Sequence, residues 1–142
     1  MQTIAQILEG KSREIVSVRP GDSVLVALEV MAAYNIGALP VVEGGQLVGI
    51  FSERDYARKV ALKGLTSALT EVREIMTGQV LCASLEHSVM ECMALMTDRH
   101  IRHLPVMQGK QLVGMLSIGD LVKTIIEDQQ FQIEQLESYI NP

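Results

Sequence analysis

The chain lacks the loop signatures of nucleotide chemistry. It holds no Gly-x-x-x-x-Gly-Lys-[Ser/Thr] phosphate loop and no Gly-x-Gly-x-x-Gly, so hydrolysis on a phosphate loop and dinucleotide redox chemistry have no motif to rest on. Cysteine occurs twice, at Cys82 and Cys92, with no Cys-x-x-Cys pair and only His87, His100 and His103 as other soft ligands. Neither a zinc site nor a disulfide framework follows, and both thiols read as small buried side chains. Aromatics make up 4% of residues, and 12 Lys+Arg stand against 17 Asp+Glu for a formal charge of −5. That balance argues against a nucleic-acid binder, which needs cations for phosphates and rings for bases. No run approaches the ~18 apolar residues of a membrane span. The opening MQTIAQILEGKSRE has neither a basic flank nor an apolar run, so no secretory signal is read and a cytoplasmic location is expected.

What is present is apolar material, 48% of 142 residues, enough for a working core. The chain also repeats itself. At an offset of 65 residues, LPVVEGGQLVGIFSERD (39–55) falls on LPVMQGKQLVGMLSIGD (104–120) with ten identities in 17 positions. Ser23, Val24, Met31 and Ile36 fall on Ser88, Val89, Met96 and Ile101 in the same register.

Each half has the same pattern. Val24, Leu28, Met31 and Ile36 recur at helical spacing behind Ser23, a candidate N-cap. ALPVVE and QLVGIF are short β-branched runs separated by Gly44-Gly45, which predicts a hairpin with a positive-φ turn. After Ser52, DYARKVALKG predicts a helix ending at Gly64. The second half predicts a helix over 88–100, strands around 103–107 and 111–117, and a helix from Gly119 onward. EVREIMT in the connector predicts a short helix, and Met76, Met90, Met93 and Met96 read as core packing. The expected fold is α+β: two βαββα-type units related by a pseudo-two-fold axis and packed sheet to sheet, because one half of about 65 residues is marginal alone. The divisions are residues 1–66 with the N-terminal helix, 67–123 with the connector, and a C-terminal extension helix over 124–142. Val122, Ile126, Ile133, Leu136 and Ile140 form one stripe on that extension, suited to a partner subunit or to folding back on its own domain.

The residues that carry chemistry are Ser-x-x-Asp at each strand-to-helix junction, Ser52 to Asp55 and Ser117 to Asp120. A carboxylate there can accept two vicinal hydroxyls, as a ribose presents, and the helix start favours anions. The same residues suit plain N-caps. Spacing alone leaves both readings open.

IGALPVVEGGQLVGIFSERDYARKV, VREIMT, IRHLPVMQGKQLVGMLSIGDLVK and the tail IEQLESYI resemble the tandem cystathionine-β-synthase (CBS) domain pair, or Bateman module, and specifically the stand-alone bacterial CBS-pair proteins with no attached enzyme domain. The resemblance covers nearly the whole chain. It implies binding of AMP, ADP, ATP, NAD or S-adenosylmethionine in a cleft between the units, with AMP or NAD the foremost candidates, and assembly as a homodimer. It also implies that Asp55 and Asp120 hold ribose with Ser52 and Ser117 beside them. The adenine would lie against Val16, Ser17, Val18, Gly37 and Ala38 opposite Asp120, and against Leu81, Cys82, Ala83, Arg102 and His103 opposite Asp55.

Arg102 and His103 are matched in the first half by Gly37 and Ala38, and Arg54 by Gly119. The Asp55 site can therefore gather Arg54, Arg58, Arg102 and His103 around a phosphate, and it is expected to dominate affinity. Lys59 and Lys63 read as a solvated helix face with ordinary ion pairs. No nucleophile or acidic orienter accompanies His103, so no catalytic residue, catalytic cofactor or metal is expected. The leading reading is a non-catalytic sensor of adenine nucleotides acting on a protein in trans. A protein-interaction or oligomerisation module with vestigial clefts is the alternative, and a nucleotide-processing enzyme is a third.

Overall fold

Ser23 is extended (φ −72°, ψ 154°), and its side chain accepts a hydrogen bond from the Val26 amide, starting α2 (Val24–Tyr34). The structure is a computed structural model describing residues 2–11 and 14–141. Before α2 comes α1 (Ile4–Glu9). After it come β1 (Ala38–Glu43), β2 (Gln46–Ser52) and α3 (Glu53–Tyr56). A π-helical turn over Ala57–Ala61 follows, then α4 (Val72–Ile75) and β3 (Ala83–Ser84). The rest is α5 (Val89–Arg99), β4 (His103–Gln108), β5 (Gln111–Ser117) and α6 (Ile118–Ile140).

The chain divides into two compact units. The Asp55 unit gathers residues 14–81 and 110–112. The Asp120 unit gathers the described N-terminal residues 2–11 with 82–109 and the chain from 113 onward.

In the Asp55 unit, β1 and β2 pair antiparallel from Ala38↔Ser52 to Glu43↔Gln46, with an irregularity between Val41 and Val42. Gly44 and Gly45 take φ of +59° and +78° at the turn, a conformation that costs other residues strain. Val18 adds a parallel bridge to Val41. Val24, Ala27 and Met31 from α2 meet Leu39, Val41 and Phe51 from the hairpin, with Val60, Val72 and Ile75 completing the core. Phe51 is fully buried, and such a side chain contributes about 1.5–3 kcal/mol.

The Asp120 unit repeats these positions at the 65-residue offset. Val89, Cys92, Met96, Leu104, Val106 and Leu116 are buried where Val24, Ala27, Met31, Leu39, Val41 and Phe51 are buried in the other unit. The parallel pair Ala83↔Val106 matches the bridge Val18↔Val41. Both central helices end on a left-handed residue, Asn35 (φ 53°) and His100 (φ 54°).

The short helices depart from the expected divisions. Helix α1 clusters with the second hairpin and α4 with the first. The physical reason is the glycine of each Leu-Val-Gly run. A β-carbon on Gly114 would stand 2.7 Å from a methyl of Leu8, and one on Gly49 would stand 2.5 Å from the Met76 sulfur. Ile4, Ile7 and Leu8 fall on Val72, Ile75 and Met76 at an offset of 68 rather than 65.

Three further expectations change. The helix after Ser52 is α-helical only to Tyr56 before the π turn. The C-terminal helix is no separate element after residue 123, since α6 runs unbroken from Ile118 to Ile140. Its stripe Val122, Ile126, Ile133, Leu136 and Ile140 is exposed, while Leu121 and Thr124 face inward, so the fold-back alternative is not what this chain adopts. Met90 is 57% exposed on α5 and is not core. Among the described residues no helix is long and apolar enough to cross a membrane.

Candidate functional site

Strand β2 ends at Ser52 with extended dihedrals, and the chain turns into α3 within one residue. The turn exposes backbone amides that must find acceptors. Ser52 Oγ accepts from the Asp55 amide at 3.2 Å, and Asp55 Oδ2 accepts from the Ser52 amide and hydroxyl at 3.0 Å each. This reciprocal capping box fixes the carboxylate at the helix start. The next amide, on Glu53, donates to Gly37 O at 3.0 Å.

Asp55 is 9% exposed, and its second oxygen is also engaged. Oδ1 faces Lys59 Nζ at 3.0 Å and the Thr77 hydroxyl at 3.4 Å. Lys59 Nζ also donates to Ile75 O at 3.0 Å. Lys59 thus makes an ion pair of the ordinary kind expected on this face, and its bond to Ile75 O also ties α3 to α4. Burying the carboxylate without such partners would be costly.

The second box repeats the first. Ser117 Oγ accepts from the Asp120 amide at 3.1 Å, and Asp120 Oδ2 accepts from the Ser117 amide at 2.8 Å. The Ile118 amide donates to Arg102 O at 2.8 Å, as Glu53 does to Gly37. The cation differs. Lys11 Nζ lies 2.7 Å from Asp120 Oδ2 and 2.8 Å from Met115 O. Partial burial pushes the Asp120 carboxyl up, but the Lys11 ammonium and the Ser117 hydrogen bonds outweigh it and hold the carboxyl below its ordinary value.

The other expected residues sit as follows. Arg54 and Arg58 are exposed on the segment after Ser52, and Arg102 is exposed before β4. His103, Leu81 and Cys82 are half-buried and Ala83 is buried. Gly37 is half-buried and Ala38 buried beside the first box. Of the early strand, Val18 is buried, Val16 half-buried and Ser17 exposed. An open groove of about 510 Å³ runs along the end of α2, from Leu28 to Gly37, and is closed by Glu53 and Tyr56. It does not include Asp55, so it is a neighbour of the box and not the box itself.

Lys11 and Thr77 are partners that motif reading missed. Lys11 lies 109 residues from Asp120, in the stretch where the repeat slips out of register. Thr77 follows VREIM, so its signal was the helix that precedes it. Burial raises the Cys82 thiol, and burial with the nearby Glu91 charge raises Cys92, so neither is primed as a nucleophile. Among the described residues no group of three His, Cys, Asp or Glu could hold a metal ion.

Two helix-covered hairpins, each ending in the same Ser-Asp box, define a tandem-repeat architecture. The family model of the CBS domain matches residues 4–62 and again 72–127, and the chain belongs to that family. The mitochondrial CBS domain-containing protein CBSX3 of Arabidopsis thaliana is 40% identical over 124 residues, covering 84% of this chain and 60% of that protein. The chain thus spans about 60% of that relative's length. A solved protein with CBS domains from Burkholderia ambifaria is 50% identical with a TM-score of 0.86, covering 90% of this chain and 96% of that one. The CBS domain pair of protein MJ0100, solved in complex with 5′-methylthioadenosine and S-adenosyl-L-methionine, shares the fold with a TM-score of 0.75 at 24% identity, covering 86% and 96%.

Proposed function

We propose that this chain is a non-catalytic regulatory module that binds an adenosine-containing ligand, AMP or NAD foremost, through the ribose hydroxyls at Asp55 and Asp120. One observation carries the reading: the same Ser-Asp box is built twice, each carboxylate fixed by a backbone amide and countered by a lysine. A carboxylate held this way is oriented before a ligand arrives, which lowers the ordering cost of binding. Two charge-assisted bonds to a vicinal diol would favour ribose over deoxyribose. Membership of the CBS family, and the adenosine compounds in the MJ0100 structure, support an adenosine ligand. Arg54 and Arg58, exposed just past Ser52, supply guanidinium groups for phosphate.

The module signals by population shift: ligand favours one arrangement of the chain, and a partner protein reads it. The exposed stripe of α6 supports a homodimer as the assembly. Two cysteines with no Cys-x-x-Cys pair suit the reducing cytoplasm. Isothermal titration of nucleotide-stripped protein with AMP, ATP, NAD, NADH and S-adenosylmethionine, with GMP as control, tests the reading. Saturable binding of an adenine ligand and none of GMP supports it; no heat from any adenine ligand, with an unshifted melting curve, overturns it in favour of a protein-interaction module.

A further inference from the structure

We propose that Lys11 is a latch on the second box: its ammonium holds Oδ2 of the Asp120 carboxylate, so a ribose that takes both carboxylate oxygens displaces it and frees the turn just past α1. The inference rests on the ribose reading of Asp120. Two contacts define the latch, Lys11 Nζ to Asp120 Oδ2 at 2.7 Å and to Met115 O at 2.8 Å. They join the residue just past α1 to β5 and to the start of α6. Helix α1 itself stays docked by the buried Ile4 and Ile7, by Leu8 against Gly114 and by Gln2 to Glu127 at 3.0 Å, so what the lysine holds is the turn just past the helix.

The first box has a lysine too, but in a different relation. Lys59 lies four residues from Asp55 on the same run of helix; it also holds Ile75 O of α4, but the Thr77 hydroxyl at 3.4 Å is a second tie from that segment to Asp55. Lys11 lies 109 residues from Asp120 and arrives on a segment with a six-residue helix, α1. Losing one ion pair therefore has its larger mechanical consequence at the second box. Ammonium and ribose diol compete for one carboxylate, and occupancy of Asp120 becomes readable as the freedom of residues 10 and 11.

The test uses the full chain carrying Asp55→Asn, which leaves the second box as the ribose site, with adenosine as an uncharged probe. Lys11→Gln removes the competing charge and should tighten adenosine about threefold, the scale of a half-exposed ion pair. Lys11→Arg, which keeps the charge, should leave affinity near the parent. The gain should vanish with 2′-deoxyadenosine, which a merely structural effect would not discriminate. Hydrogen exchange should show the amides of Gly10 and Lys11 losing protection when adenosine binds the parent, and in Lys11→Gln without ligand. Binding to the parent that is unchanged or weakened in Lys11→Gln overturns the latch and leaves the ribose reading standing. Absence of adenosine binding in both chains overturns the ribose reading and the latch with it.

Discussion

Leu8 lies against the bare α-carbon of Gly114, with a methyl 2.7 Å from where a β-carbon would stand. Met76 lies against Gly49 in the same way, with its sulfur at 2.5 Å and the Thr77 carbonyl at 3.1 Å. The glycine of each Leu-Val-Gly run is thus the seat of a short helix, and that helix carries the segment whose Lys11 or Thr77 reaches the box carboxylate.

A methyl group at either glycine overpacks this seat. Gly49→Ala should cost about 2–3 kcal/mol and Gly114→Ala about 1–2 kcal/mol, because the Leu8 methyls can rotate away whereas the Thr77 carbonyl cannot. Urea unfolding of both variants checks the order; equal losses would mean the helices are not seated as described.

Much of this fold was legible in the sequence because its signals are local. Ser23 beside a helical apolar spacing, Gly44-Gly45 between two β-branched runs, and the two Ser-x-x-Asp boxes each announce themselves within a few residues. The exchange of α1 and α4 was not legible, since Leu8 and Gly114 are far apart in the chain and the repeat slips by three residues between them. The same distance hid Lys11. The π turn over Ala57–Ala61 has no local signal either: DYARKVALKG reads as plain helix. At the site, the repeated Ser-x-x-Asp motif marked the carboxylates and hydroxyls, but only the folded chain shows each box already countered by a lysine.

The Asp120 carboxyl gives a pH signature. Its folded value lies below the ordinary one, so its interactions contribute stability that is present above the unfolded carboxylate value and lost as pH falls through the folded one. The stability gap between the parent and Asp120→Asn should be constant from pH 7 to 6 and shrink below about pH 4. Denaturant midpoints across that range check it; a gap that widens on acidification would contradict the assigned ion pair.

The hydroxyls of Ser52 and Ser117 act as caps whatever the ligand. Ser117→Ala should cost about 1 kcal/mol, because the Asp120 amide loses its acceptor at the start of a 23-residue helix. Thermal unfolding reads this directly, and a loss of no more than about 0.2 kcal/mol would show the cap to be idle.

Helix α6 presents Ile126, Ile133, Leu136 and Ile140 at alternating spacings of seven, three and four, with Gln129 at the skipped position. That spacing suits the seam of a two-helix coil. Ile133→Asp with Leu136→Asp should convert a dimer to monomer in light scattering while leaving the melting profile of the units cooperative. A dimer of unchanged mass would place the interface elsewhere.

The two boxes differ in the arginines beside them, so Asp55→Asn should weaken AMP binding more than Asp120→Asn does. Asparagine keeps the amide acceptor of the cap and removes the charge, which separates binding from folding. The reverse order of losses would transfer the dominant site to Asp120.

The central claim is that these carboxylates hold a ribose. The most direct measurement is calorimetric titration of the nucleotide-stripped full chain with AMP and with 2′-deoxy-AMP, in the parent and in the double variant Asp55→Asn with Asp120→Asn. The account predicts saturable AMP binding in the parent, at least about tenfold weaker binding of the deoxy ligand, and loss of that preference in the double variant. Equal affinity for AMP and 2′-deoxy-AMP in the parent would contradict it.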